Sequence, residues 1–243
     1  MRDYDAEIMD TEEHEYAYSF DFDVMHHFMI RAFDPFLRPG TSLELGSFKG
    51  DFTWKLKQKL GSIECVEASG DAVKEFNKRR SLSDVVCHHS LFENFEPDKT
   101  FDNIFLTHVL EHVDQPIGLL RTIRHQWLSD TGRFFLVCPN ANAPSRQIAV
   151  RMGLISHNAA VTEAERAHGH NATYSFDTLE QLAREAGFRI TARKGIFFKC
   201  LATFQWDKVI SQEIVNEGFL DACYELGEIY PDLCSSIMLV CEK

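Results

Sequence analysis

The segment Leu43-Glu44-Leu45-Gly46-Ser47-Phe48-Lys49-Gly50 places a carboxylate and two glycines where an apolar strand pattern gives way to a helical one. Glycine permits a tight turn and close backbone approach to a ligand. Amides at the start of the next helix add hydrogen-bond donors. An ordinary strand-to-helix turn would look the same, so the glycine pair alone decides little. A second apolar run, Ile63 to Val66, ends in Glu67, about 20 residues beyond Gly46. An acid at the tip of a second strand at that distance can accept both hydroxyls of a ribose. The spacing Gly46-x-x-x-Gly50 fails the G-x-G-x-x-G pattern of dinucleotide sites. Glu44, ahead of the first glycine, is suited to an ammonium group. A nucleoside that carries an α-amino acid satisfies both acids, and S-adenosylmethionine is such a molecule.

His108-Val109-Leu110-Glu111-His112 formally matches H-x-x-E-H, a zinc-peptidase pattern. That reading needs both histidines on one helix face, whereas His108 falls at the end of a strand. No metal site is expected, and Glu111 and His112 are read as capping and bracing the next helix. Where a reacting oxygen must lose a proton a base is needed, and histidine titrates in the right range. His108 is the best-placed candidate catalytic residue, followed by His168 and His170. The alternative for each is a hydrogen-bonded structural histidine.

These residues need elements to hold them. Apolar positions Phe22, Met25, Phe28, Met29 and Phe33 recur at helical spacing, and Pro39-Gly40 should end that helix. Strands are then expected over 41–45, 62–67, 85–88, 103–107, 133–138, 189–198 and 236–241. Helices are expected over 52–60, 71–79 and 116–128. A further helix is expected over 177–186, with Asp177 as its N-cap and Gly187 as its C-cap. Strands alternating with helices imply right-handed βαβ units and a mainly parallel sheet. Residues 141–175 break the alternation as an insertion, and 200–232 read as helical.

With the elements in place, the stretch from Leu43 onward resembles the class I S-adenosylmethionine-dependent methyltransferases, in their small-molecule branch. LELGSFKG is similar to the family's first motif, with Glu44 at its acidic position, Gly46 and Gly50 at its outer glycines, and Phe48 where the middle glycine is usual. VEAS resembles the second motif, with Glu67 as ribose ligand. FDNIFLTHVLEHVDQP resembles the fourth strand and its helix, GRFFLVCPN the fifth strand, and YSFDTLEQLAREAGF the helix leading to the sixth. The resemblance covers about residues 40 to 198. It implies an α/β fold: a three-layer Rossmann-like methyltransferase fold with a mainly parallel seven-stranded sheet and an antiparallel last strand. It implies a cofactor site of Glu44, Gly46, Ser47, Phe48, Gly50, Glu67, Ala68, Ser90, Leu91, Phe92, Thr107 and His108, with Thr107 and His108 at the sulfonium end. Where the family commonly shows an acid near the adenine, this chain has Ser90-Leu91-Phe92. The implied organisation is an N-terminal helical cap over 1–40 and a methyltransferase domain over 41–243, with insertions at 141–175 and 200–232.

Composition narrows the acceptor. The formal net charge of −12 repels a phosphate backbone, so nucleic acid is not expected as partner. No apolar run approaches the ~20 residues of a membrane span, and the acidic N-terminus lacks a signal core; a cytoplasmic protein without a membrane partner is expected, and a homodimer is left open. The expected function is methyl transfer from S-adenosylmethionine to a small molecule, such as a sugar or natural-product hydroxyl. The acceptor pocket should lie under the 141–175 insertion, walled also by the N-terminal helix and 200–232. Tyr16, Tyr18, Phe20, Tyr174, Phe197 and Phe198 would line it, and Arg146, Arg151 and Arg166 would add donors. The rivals are an NAD-dependent oxidoreductase and a non-catalytic nucleoside-binding protein.

Overall fold

The computed structural model describes residues 2–9 and 17–243. Its central strands are buried on both faces, as strands covered from both sides must be. β1 (Ser42–Leu45) is buried at every position, and β4 (Phe101–Thr107) and β5 (Leu128–Pro139) are buried over most of their length. With β2 (Glu64–Glu67), β3 (Val86–His89), β6 (Arg189–Phe198) and β7 (Cys234–Glu242) they form one sheet in the order β3-β2-β1-β4-β5-β7-β6. β7 runs antiparallel between β5 and β6, and the other pairings are parallel. This is the expected seven-stranded Rossmann-like architecture. The strand order reverses between β1 and β4, which opens a crevice at their C-terminal ends.

Successive residues of the central strands face opposite layers. Ile104, Leu106, Phe134 and Leu136 pack against α5 (Pro116–Thr122), the wide turn Ile123–Trp127 and α8 (Phe176–Glu185). Phe105, Phe135, Val137, Met238 and Val240 pack against the other layer. That layer comprises α2 (His26–Phe33), α3 (Asp51–Leu60), α9 (Thr203–Ser211) and α10 (Glu217–Ile229). Three further helices border the crevice: α1 (Tyr4–Glu7), α6 (Pro144–Arg151) and α7 (Glu163–Ala167). α4 (Gly70–Lys78) packs Phe76 on Cys65 and Leu82. No helix among the described residues is long and apolar enough to cross a membrane.

Several boundaries differ from the sequence expectation for local reasons. Ser175, not Asp177, caps α8, because its side chain accepts from the Thr178 amide while Phe176 turns into the core. The helix expected to end at Pro39-Gly40 stops at Phe33 and gives way to one 3-10 turn, Asp34–Phe36, around Pro35. β5 begins at Leu128 rather than Arg133. Leu128 pairs with Phe101 across an irregularity, and Ser129 donates to Asp102 at 2.8 Å.

Phe33 fixes α2 to the sheet. It is 1% exposed, with ring centroids 5.4 Å from Phe105 and 5.1 Å from Phe135. Phe33→Ala should lower unfolding free energy by about 3–5 kcal/mol in urea denaturation. A loss below about 1 kcal/mol would show that α2 is not integral to this core.

Candidate functional site

The turn after β1 is built from residues in unusual backbone conformations. Gly46, Phe48 and Gly50 all have positive φ, at 80°, 49° and 86°. Glycine adopts that region freely, but a phenylalanine there costs about 1–2 kcal/mol. Neighbouring contacts hold it. The Phe48 amide donates to one oxygen of Glu67 at 2.7 Å, and the Ser69 amide donates to the other at 2.8 Å. The Gly46 amide donates to the Val66 carbonyl at 2.9 Å. The tips of β1 and β2 are thereby tied into one ledge.

Glycine is required at both outer positions for different reasons. A Cβ on Gly46 would stand 2.5 Å from a Val109 methyl carbon. A Cβ on Gly50 would stand 2.4 Å from Leu82 and 2.7 Å from Phe76. Gly46 therefore faces the crevice and the loop after β4, whereas Gly50 faces the core and starts α3.

A cavity of 590 Å³ opens over this ledge, within the size range of a cofactor site. Of the predicted cofactor residues, Glu44, Gly46, Ser47, Phe48, Glu67, Ala68, Leu91, Phe92, Thr107 and His108 line it, as do His168 and His170. Gly50 and Ser90 do not. Gly50 is turned into the core, and the Ser90 hydroxyl donates to the Leu91 carbonyl while its amide supports the Glu67 carbonyl.

The acceptor-side expectation is also revised. Arg151 and Arg166 are exposed and stand off the cavity. Arg146 reaches it but is occupied, with its guanidinium on Glu165 at 2.5 Å and on the Asn158 carbonyl at 2.8 Å. Phe20 and Phe197 pack with Trp206 in the core, and Tyr174 is buried in the opposite layer. Phe198 does not reach the cavity either, whereas Tyr18 does. Tyr16 lies outside the described residues.

Sequence reasoning missed part of the wall. Arg2, Tyr4, Glu7 and Ile8 close one side of the cavity. Arg2 holds Glu7 and donates to the Gly169 carbonyl at 2.8 Å, and Asp5 accepts from the Ser69 hydroxyl at 2.6 Å. Nothing in that short acidic stretch announces such distant partners. Lys199, Glu111 and His112 also line the cavity; the last two were read as capping and bracing residues.

Burial dominates the electrostatics. Glu44 is 1% exposed, and one of its oxygens has no hydrogen-bond partner. Desolvation, reinforced by nearby Glu67, pushes its carboxyl up to about 8. Desolvation raises Glu67 as well, against the opposing pull of its amide donors. Burial drives His108 down to about 3, so it is neutral near pH 7 and a weak proton acceptor. Its Nε2 lies 2.9 Å from the Ser236 hydroxyl, and its own φ is 54°.

The fold and the ledge between β1, β2 and β4 define a class I methyltransferase. The methyltransferase-domain family matches residues 17–193, and the chain belongs to that family. No curated protein matches it in sequence. Solved structures agree on the fold. A Thermotoga maritima S-adenosylmethionine-dependent methyltransferase, described as a possible histamine N-methyltransferase, aligns with a TM-score of 0.61 at 20% identity, covering 91% of this chain and 90% of that one. An S-adenosylmethionine-dependent methyltransferase from Archaeoglobus fulgidus aligns at 0.58 and 18% identity, covering 91% and 94%. A glycopeptide N-methyltransferase complexed with S-adenosylmethionine aligns at 0.56 and 14% identity, covering 88% and 85%.

The contact between Gly46 and Val109 couples the first glycine turn to the loop after β4. Gly46→Val should destabilise the protein by at least about 2 kcal/mol. Adding Val109→Ala should recover about 1 kcal/mol of the clash, while the strain at positive φ remains. Purely additive effects in a double-mutant cycle would contradict the contact.

Proposed function

We propose that this protein transfers a methyl group from S-adenosylmethionine to a small-molecule acceptor held beneath the 141–175 insertion. The observation that carries the proposal is the pair of buried carboxylates, Glu44 and Glu67, at the tips of β1 and β2 around a left-handed turn. The residues fit the cofactor. Each Glu67 oxygen keeps a lone pair for a ribose hydroxyl beside its amide bond. Glu44 has an oxygen without a partner for the methionyl ammonium, Gly46 leaves the close approach open, and Leu91 and Phe92 offer an apolar face to the adenine. When bound, the cofactor supplies a methyl carbon activated by its sulfonium. The protein's part is to align the acceptor with that carbon and to exclude water. Thr107 and His108 stand at the crevice between the two halves, and neutral His108 orients neighbouring groups through Ser236. The acceptor half is lined by Glu111, His112, His168 and His170. The net charge supports a small acceptor over a nucleic acid.

A screen with methyl-labelled cofactor against sugars, nucleotide sugars and small phenols tests the activity. Label transferred to one chemical class supports the reading; binding of NADH in preference to S-adenosylmethionine would replace it with the oxidoreductase reading.

Two further outcomes are expected from calorimetry. Glu67→Ala should weaken cofactor binding by about 1–3 kcal/mol, the loss of hydrogen bonds to a charged group. Glu44 should set the pH dependence. Its carboxyl titrates at about 8 in the free protein and at a lower pH against an ammonium. Binding therefore releases a proton below about pH 8, and affinity falls by up to about tenfold per unit as pH drops from there. Above about pH 8 the ligand's own amino group loses its proton and the gain ends. Heats measured at neutral pH in buffers of different ionisation enthalpy should show close to one proton released, and Glu44→Gln should abolish the release. Identical heats in all buffers for the wild type would remove Glu44 from this role.

A further inference from the structure

The cavity floor beyond the proposed methyl-transfer point holds a second constellation. Glu111 and His112 come from the short turn Leu110–His112 after β4, and His170 comes from the insertion. Backbone contacts bring the two segments together. The Asn171 amide donates to the Glu111 carbonyl at 2.7 Å, and the Asn171 side chain donates to the His112 carbonyl at 3.1 Å and to Asp114 at 2.7 Å. Arg2 also donates to the His112 carbonyl. As a result the His112 and His170 rings meet edge-on, with centroids 4.4 Å apart. Glu111 is 1% exposed, and neither of its carboxylate oxygens has a hydrogen-bond partner.

A buried carboxyl group whose two oxygens lack hydrogen-bond partners is costly, and a ligand that bonds to it offsets that cost. The two side chains beside it are imidazoles. Imidazole nitrogens and a carboxylate are metal ligands once they give up their protons on the ion's arrival. One ligand atom from each of the three residues lies within 4.8 Å of the others. Ligands about 2.1 Å from a shared ion stand roughly 3.0–3.4 Å apart, so small rotamer changes close the set.

We propose that Glu111, His112 and His170 form a binding site for one divalent transition-metal ion. Two histidines and one carboxylate suit zinc, manganese, iron or cobalt rather than magnesium or calcium, which prefer all-oxygen sets. Three protein ligands on one side leave coordination positions open toward the cavity. If the acceptor binds there, as the proposed function holds, its oxygen can occupy one of them. This replaces the expectation of a site without metal. It is also a different set from the H-x-x-E-H pattern, since His108 is engaged with Ser236.

The test uses tagless protein of this sequence stripped of metal, with no acceptor or cofactor present. Titration with Co²⁺, followed by its visible absorption, should show one ion per chain with a spectrum of low coordination number, displaced by Zn²⁺ and not by Mg²⁺. Glu111→Gln, a near-isosteric change, and His170→Ala should each weaken Co²⁺ binding by at least about tenfold, while His125→Ala, at an exposed histidine elsewhere, should not. Circular dichroism and S-adenosylmethionine calorimetry on the same samples report folding and the cofactor half independently. Absence of stoichiometric Co²⁺ binding by the wild type would overturn the metal site and leave the methyltransferase reading standing. So would wild-type affinity in both folded variants.

Discussion

The Glu67 carboxylate is the interaction on which the site depends. It accepts two backbone amides, from Phe48 in the turn after β1 and from Ser69 at the start of α4. Hydrogen bonds to a carboxylate are about twice as strong as neutral ones, and here they hold a phenylalanine where glycine would be unstrained. The clamp joins the tips of two neighbouring parallel strands, so the ledge they form has one shape. Removal of Glu67 therefore removes the proposed ribose acceptor and releases the turn that carries Gly46. Val109 then passes the position of that turn to the loop after β4, where His108 also sits at positive φ.

Around this ledge the protein buries carboxyl groups. Glu44 and Glu111 each bury carboxylate oxygens without donors, and burial pushes both carboxyls up to about 8. Such groups cost stability unless a ligand completes them. Both line the same cavity, one toward the turn after β1 and the other toward the insertion. The apolar layers on both faces of the sheet hold the strand tips in place against that cost. Departures from local rules of this kind are expected at functional sites.

Much of this was legible in the sequence because it is local. Strand-to-helix turns, the acid at the second strand tip and the alternation of elements all depend on residues within one βαβ unit. What spacing does not encode is which way a residue faces. Gly46 and Gly50 look equivalent in LELGSFKG, yet one faces the crevice and the other packs on Phe76 and Leu82. Arginines in the insertion read as donors, but Arg146 is spent on Glu165 and Asn158. Contacts between distant segments were the least accessible. Arg2 meets Gly169, Asp5 meets Ser69, and Asn171 meets Glu111 only because the sheet brings them together. The His170 ring on His112 follows from the last of these, and no pattern within H-V-L-E-H signals it.

A crystal structure of the protein with S-adenosylhomocysteine tests the central claim most directly. The ribose hydroxyls should lie within hydrogen-bond distance of Glu67. The amino group should point at Glu44, and the sulfur should face Thr107 and His108. A nucleoside bound away from the Gly46 turn, or a ribose that does not touch Glu67, would contradict the account.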